Sequence, residues 1–182
     1  MNLKKIFKPF CHQIPERCYY FSKDPLFICS RCLGIYLGFL ISFFWFSFLY
    51  SGFSAGIRIF WVLLLFIPMA LDGLTQFFNL RKSRNYLRFI TGLLAGAGTA
   101  YLTYSAFSLI LFSENILFKM PTLKSALILL LFIPVYFLIE KYKNKNKPEI
   151  ENLLNYLSIF SLFILISAVI ILYSKILADL FF

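Results

Sequence analysis

All four cysteines and the only histidine of this chain lie within residues 11–32, as Cys11, His12, Cys18, Cys29 and Cys32. Thiolate and imidazole groups are the protein ligands that zinc and other soft divalent metals prefer. Cys29 and Cys32 form a C-x-x-C pair, and Cys11 with His12 forms a second close pair ahead of it. Two close pairs separated by a loop are the usual arrangement of a tetrahedral zinc site.

We therefore predict Cys11, Cys29 and Cys32 as metal ligands, with His12 as either the fourth ligand or a proton donor beside the ion. Zinc is the predicted cofactor, and iron or another soft divalent metal is the alternative. Three protein ligands with an open position suit catalysis, whereas four suit a structural site. The sequence leaves this choice open.

Two other interpretations of the cysteines also stay open. Cys29 and Cys32 could cycle through a disulfide, because the neighbouring Arg31 and a helix start would lower the pKa of a thiol. Alternatively, the cysteines are scattered small apolar residues at a membrane boundary, without a site.

A second polar group surrounds Asp72, which lies inside a long apolar run, with Gln76 one helical turn further on. A carboxylate at membrane depth is costly, so such acids usually face the bundle interior and pair with a cation. Arg88, at the start of the next apolar run, is the expected partner of Asp72. Asp72 is also a candidate for proton transfer, although a simple salt bridge between two helices explains it equally well.

A metal ion beside several arginines is suited to bind a phosphate or another anionic group while polarising it. The candidate substrate-binding residues are the polar and cationic side chains near the two groups, namely Gln13, Arg17, Arg31, Gln76, Arg81, Ser83, Asn85, Arg88 and Thr91.

The elements that position these residues follow from composition. Hydrophobic residues make up 60% of the 182 and charged residues only 14%, which a soluble domain could not carry without exposing large apolar patches. Apolar runs of membrane-spanning length predict five spans, Leu33 to Tyr50, Ile59 to Phe78, Leu87 to Phe107, Leu123 to Ile139 and Leu157 to Leu177. The predicted fold is an all-α, multi-pass transmembrane helical bundle (residues 33–182), preceded by a Cys/His-rich segment at the membrane surface (residues 1–32).

Charge predicts the orientation of the bundle. With five spans, 14 of the 18 lysines and arginines fall on the face that carries the N-terminus. The positive-inside rule makes that face cytoplasmic and puts the C-terminus outside, in the plasma membrane. The net charge of +10 is then a topology signal, so we expect the lipid bilayer and its anionic headgroups as partners and no nucleic acid. The cytosol is reducing, which disfavours structural disulfides.

Small residues recur in the third predicted span, as Gly92-x-x-x-Gly96 with alanines around it. This spacing lets helix backbones pack closely. We expect contacts within the chain, with a homo-oligomer as the alternative.

Together these residues resemble a family of prokaryotic integral-membrane proteins named domain of unknown function 2085. The motif residues are Cys11, His12, Gln13, Arg17, Cys29, Arg31, Cys32, Gly34, Ile35 and Tyr36, then Asp72, Gly73, Gln76, Ser83, Asn85, Arg88, Thr91 and Gly92. The resemblance covers about the first 100 residues and implies no activity. The family usually has Ser where this chain has Cys18, which favours the other three cysteines as ligands.

The leading functional hypothesis is a metal-dependent membrane enzyme acting on a phosphate-bearing or otherwise anionic lipid at the cytoplasmic surface. A soft-metal transporter or sensor is the first alternative, although the last span, whose polar residues are only Ser, Tyr and the Lys175 near its end, offers no path for an ion. A thiol-redox protein or a purely structural zinc site is the second.

Overall fold

The computed structural model describes residues 7–49, 59–82, 84–112, 122–143, 145 and 147–181. Within these residues the chain forms five α-helices, α1 (Ser30–Leu49), α2 (Ile59–Phe77), α3 (Asn85–Phe112), α4 (Thr122–Tyr142) and α5 (Pro148–Phe181). One helix corresponds to each predicted span, because every span is a long, predominantly apolar run. The predicted end of the first span, Tyr50, lies outside the described residues.

Ahead of α1, the chain forms a small β-hairpin, so the all-α prediction is wrong for this segment. A 3-10 turn (Pro15–Arg17) leads into β1 (Cys18–Tyr20), which pairs antiparallel with β2 (Pro25–Cys29). Aromatic and β-branched residues flank the turn sequence "SKDP", which is the usual signature of a hairpin. Helix α1 begins at Ser30, directly after β2, so the hairpin delivers Cys29 to the helix start.

Helices α1 and α3 cross with their backbones in contact. Gly34 and Gly38 of α1 face Gly92 and Gly96 of α3, and a Cβ at any of the four would lie 2.3–2.4 Å from a carbonyl oxygen of the facing helix. Only glycine allows so close an approach. The close packing predicted at Gly92 and Gly96 is confirmed within the chain, and α1 supplies the matching pair.

Helix α2 ends in a turn that sends the chain back toward its own last residues. Asn79 has a φ of 54°, the Asn79 N–H donates to the Gln76 carbonyl, and the Leu80 N–H donates to the Thr75 carbonyl. These two bonds and the left-handed residue form a Schellman motif, which asparagine tolerates better than most residues. The reversal places Arg81 beside the end of the helix it has just left.

The hairpin and the bundle share one apolar core. The Phe7 ring packs 5.0 Å from that of Phe27 in β2 and 5.8 Å from that of Tyr36 in α1. Leu154 and Leu162 of α5 belong to the same buried cluster. Residues 7–32 are therefore packed against the helices.

Two described stretches are long and apolar enough to cross a membrane, Ser30–Ser47 and Pro148–Lys175, and Leu63–Phe77 is a shorter apolar helix. The five predicted helices are present, whereas five membrane crossings stay a prediction.

Candidate metal centre and the adjoining arginine pocket

The three predicted cysteine ligands come together where the hairpin meets α1. The Sγ atoms of Cys11, Cys29 and Cys32 all lie within 4.8 Å of one another, and those of Cys29 and Cys32 are 3.3 Å apart. In a tetrahedral zinc site with Zn–S bonds of about 2.3 Å, sulfur atoms are about 3.8 Å apart. The spacing therefore fits a soft metal ion, and the three cysteines could hold one.

Two segments of the chain form the cysteine group, the junction of β2 with α1 and the residues ahead of the hairpin. Cys29 ends β2 and Cys32 lies in the first turn of α1, so the C-x-x-C spacing brings both sulfurs to one side of the helix start. Cys11 is held from the other side because the Cys29 N–H donates to its Sγ at 3.2 Å. Gln13, with a φ of 51°, turns the chain just after this cysteine.

Sharing of protons among the thiols favours a thiolate at Cys29. Hydrogen bonding with Cys11 and then with Cys32 lowers the pKa of Cys29, while the bond with Cys29 raises the pKa of Cys11. Thiolate is the form that binds a metal or attacks a disulfide.

His12 and Cys18 lie outside this group. Among the residues that the structure describes, the group contains the three cysteines alone, and the His12 side chain is exposed. Cys18 is buried, and its thiol donates to the Ile14 carbonyl at 3.2 Å. A role for His12 as ligand or proton donor stays a prediction.

Asp72 is the centre of the second group. Only 1% of its side chain is exposed, and it forms salt bridges with Arg31 and, at 3.0 Å, with Arg81. The Gln76 amide donates to the same carboxylate at 2.9 Å and to the Asp72 carbonyl. Thr75 accepts a hydrogen bond from Arg81 Nε at 3.2 Å and so fixes the second arginine.

The expected direct pairing of Arg88 with Asp72 is wrong. Arg88 donates instead to the Gln76 side-chain oxygen at 2.6 Å, and the Gln76 side-chain nitrogen donates to the Asp72 carboxylate. Arg31, in the first turn of α1, and Arg81, after the end of α2, contact the carboxylate directly. Arg88 was expected because it is close to Asp72 in sequence, whereas the partners of the carboxylate are set by the tertiary fold.

Arg31 joins the two groups. It lies between Cys29 and Cys32 in the sequence, and its side chain reaches across to Asp72 on α2. The cysteine group and the Asp72 group are therefore adjacent at one end of the bundle.

Asn85 and Ser30 fix the hairpin on the bundle. The Asn85 amide donates to the carbonyls of Glu16 and Cys18, at 3.3 and 3.2 Å. The Ser30 hydroxyl donates to the Arg17 carbonyl at 2.9 Å. Asn85, predicted to bind substrate, is thus engaged with the backbone of the hairpin, and Ser30 is a site residue that the sequence reasoning missed.

The remaining predicted substrate residues differ in their surroundings. The Arg17 side chain is exposed, while Thr91 is buried and donates to the Arg88 carbonyl at 3.2 Å. Ser83 lies outside the described residues. A substrate role for these residues stays a prediction.

Comparisons with known proteins cover this same part of the chain. A family model described as "Predicted membrane protein (DUF2085)" matches residues 11–102. An uncharacterized protein of Methanothermobacter thermautotrophicus is 44% identical over 97 residues, which are 53% of this chain and 86% of that protein. An uncharacterized protein of Methanocaldococcus jannaschii is 40% identical over 95 residues, which are 52% of this chain and 61% of that protein. No solved structure matches the chain significantly.

The matched residues contain the hairpin, α1, α2 and the first part of α3, with all three grouped cysteines and the whole Asp72 group. They make up just over half of the 182 residues, and the match agrees with the resemblance seen in the motifs. The chain therefore belongs to this family of predicted membrane proteins, domain of unknown function 2085.

Proposed function

We propose that this membrane protein holds a zinc ion with Cys11, Cys29 and Cys32 and uses it in chemistry on a phosphate-bearing, anionic lipid. The observation that carries the proposal is the approach of the three Sγ atoms to within 4.8 Å of one another, next to a buried carboxylate and its arginines. In the proposed orientation the site lies at the cytoplasmic membrane surface, the chain crosses the plasma membrane five times and the C-terminus is outside.

Three sulfur ligands suit zinc catalysis better than a purely structural site. Catalytic zinc sites typically have three protein ligands and one exchangeable position, whereas structural sites are closed by four. Among the described residues the group offers three ligand atoms. A bound zinc ion would polarise a substrate oxygen at the open position. His12, exposed and next to Cys11 in sequence, is the proposed proton donor or fourth ligand.

The first experiment measures metal in detergent-purified protein by elemental analysis. We expect about one zinc per chain in the wild type and a loss in Cys29→Ser, because removing one of three thiolates opens the site. Cys18→Ser is the matched control, since Cys18 lies outside the group and serine can keep the bond to the Ile14 carbonyl. Wild-type protein without metal under reducing conditions would contradict the proposal.

A thiol-redox function is the second candidate, and one distance favours it. The Sγ atoms of Cys29 and Cys32 are 3.3 Å apart, so oxidation would need little movement to bond them. Counting reactive thiols in the same samples separates the two functions. Metal-free protein whose Cys29 and Cys32 pair reversibly would support redox chemistry instead of zinc.

Activity is tested separately from metal binding. Zinc-loaded and chelator-stripped protein in nanodiscs containing phosphatidic acid are compared by mass spectrometry of the lipids. A zinc-dependent change in the lipid supports the enzymatic part of the proposal. Unchanged lipid with zinc bound would contradict that part and favour a structural zinc site.

A further inference from the structure

Positive charge exceeds negative charge around Asp72. Arg31 and Arg81 pair directly with the one carboxylate, and Arg88, 8% exposed, is bonded to the neutral Gln76 oxygen. Zinc on three thiolates would add one negative charge to the neighbourhood, which still leaves an excess of cations. Arg88 is nearly buried and bonded to a neutral group, and a charge held away from water is costly unless it is compensated, so this cluster of arginines favours an added anion.

The residues around Asp72 also include a hydrogen-bond donor that a ligand could use. Arg31 Nε is buried and has no hydrogen-bond partner among the described residues. A buried donor without a partner costs free energy, and a bound acceptor would remove that cost. A guanidinium group carries five N–H donors in a fixed fork that matches phosphate, and Asp72 already holds the forks of Arg31 and Arg81 in place.

We infer that Arg31 and Arg81 form a phosphate-binding subsite for a lipid headgroup, with Arg31 Nε and the exposed edge of Arg81 as donors. This inference rests on the proposed function, since it names the part of the site that recognises the substrate. The Arg81 side chain is 43% exposed and that of Arg31 28%, so both are partly open to a ligand, although Arg31 Nε itself is buried. Asp72 acts as a positioning residue that orients them.

The surroundings of Arg81 favour a lipid over a soluble phosphate. Phe77, Phe78 and Leu80 precede it and are 79%, 63% and 75% exposed. In a membrane protein, exposed aromatic and aliphatic side chains next to arginines mark the boundary between hydrocarbon and headgroups. Beside Asp72, Gly73 faces open space, since a Cβ there would meet nothing within 4 Å. A headgroup phosphate at the depth of Arg81 would leave its acyl chains along the apolar face of α2.

The test measures binding of radiolabelled phosphatidic acid to detergent-purified, zinc-loaded protein, with diacylglycerol and inorganic phosphate as comparison ligands. Arg81→Ala should weaken phosphatidic acid binding about tenfold, the usual loss for one charge-assisted hydrogen bond. Lys82→Ala is the matched control, because it removes one exposed positive charge from the same connection. The control should change binding less than about twofold, as a screened surface charge does.

Zinc content and elution volume are measured for each variant, so that a fold defect is recognised. Equal losses in Arg81→Ala and Lys82→Ala would overturn the subsite in favour of non-specific attraction. Diacylglycerol binding as tightly as phosphatidic acid would also overturn it. Inorganic phosphate matching the affinity of phosphatidic acid would overturn the lipid as its source. Arg81-dependent lipid binding in protein that never holds zinc would refute the metal proposal alone.

Discussion

The part of the chain that contains the candidate site differs from the last two helices in how it is held together. The hairpin and α1–α3 are joined by backbone contacts at four glycines, by the Asp72 salt bridges and by the Asn85 amide. Helices α4 and α5 contact the rest mainly through apolar side chains. Among the described residues, polar links include the Ser161 hydroxyl of α5, which donates to the Tyr36 carbonyl, and the N–H of Lys147, just before α5, which donates to the Phe21 carbonyl.

The difference shows where the fold requires accurate geometry. Backbone contacts and buried ion pairs permit little displacement, so they suit the part that must hold three thiols and a carboxylate in register. Apolar side-chain contacts tolerate substitution by residues of similar volume. The family match ends at residue 102, so α4 and α5 lie outside it and act as a brace against the hairpin and α1.

The largest loss of stability is expected when α1 is separated from α3. Gly92→Leu should destabilise the protein by upwards of about 3 kcal/mol, because the new side chain meets the Arg31 carbonyl, 2.4 Å from the Cβ position. Gly73→Ala, where a Cβ meets nothing, should change stability by less than about 1 kcal/mol. Unfolding in detergent micelles measures both. Equal stability of the two variants would show that the crossing does not depend on glycine.

Removing the buried carboxylate should have the next largest effect. Asp72→Ala leaves Arg31 and Arg81 without their shared partner, and we expect a loss of about 2 kcal/mol, less than for a fully buried pair because both arginines are partly exposed. Asp24→Ala removes an exposed acid from the hairpin turn and is the control. The same unfolding assay applies, and an Asp72 variant as stable as the control would show that these salt bridges do not stabilise the fold.

The smallest loss of stability is expected at the contact between α5 and α1. Ser161→Ala removes one interhelical hydrogen bond and should cost about 0.6 kcal/mol, the average for such bonds in membrane proteins. Ser174→Ala removes a bond within α5 at an exposed position and should change stability even less. If the Ser161 variant lost as much stability as the Asp72 variant, the two parts of the chain would not differ as described.

Local sequence patterns predicted much of the fold. The helices follow from long, predominantly apolar runs, and the C-x-x-C pair from a spacing that one helical turn brings together. The hairpin was missed although "SKDP" was a usable turn signal, and the Schellman end of α2 was missed although Asn79 follows the last apolar residues.

Partner choices at long range could not be predicted in the same way. Asp72 pairs with Arg31, 41 residues away, because two glycine pairs set the crossing of α1 and α3. The residues around Gly34 and Gly38 give no local sign of the helix that these glycines face. The apolar patterns predicted the helices α4 and α5 but did not indicate that they pack against the hairpin.

The bonds from Asn85 to Glu16 and Cys18 also have a consequence for biogenesis. The two ends of these bonds are 69 and 67 residues apart, so the ribosome delivers the cysteines well before the amide that fixes them. At the usual rate of about 5–20 residues per second, the delay is on the order of several seconds. During that interval the hairpin that carries the cysteines lacks the bonds that later attach it to α3.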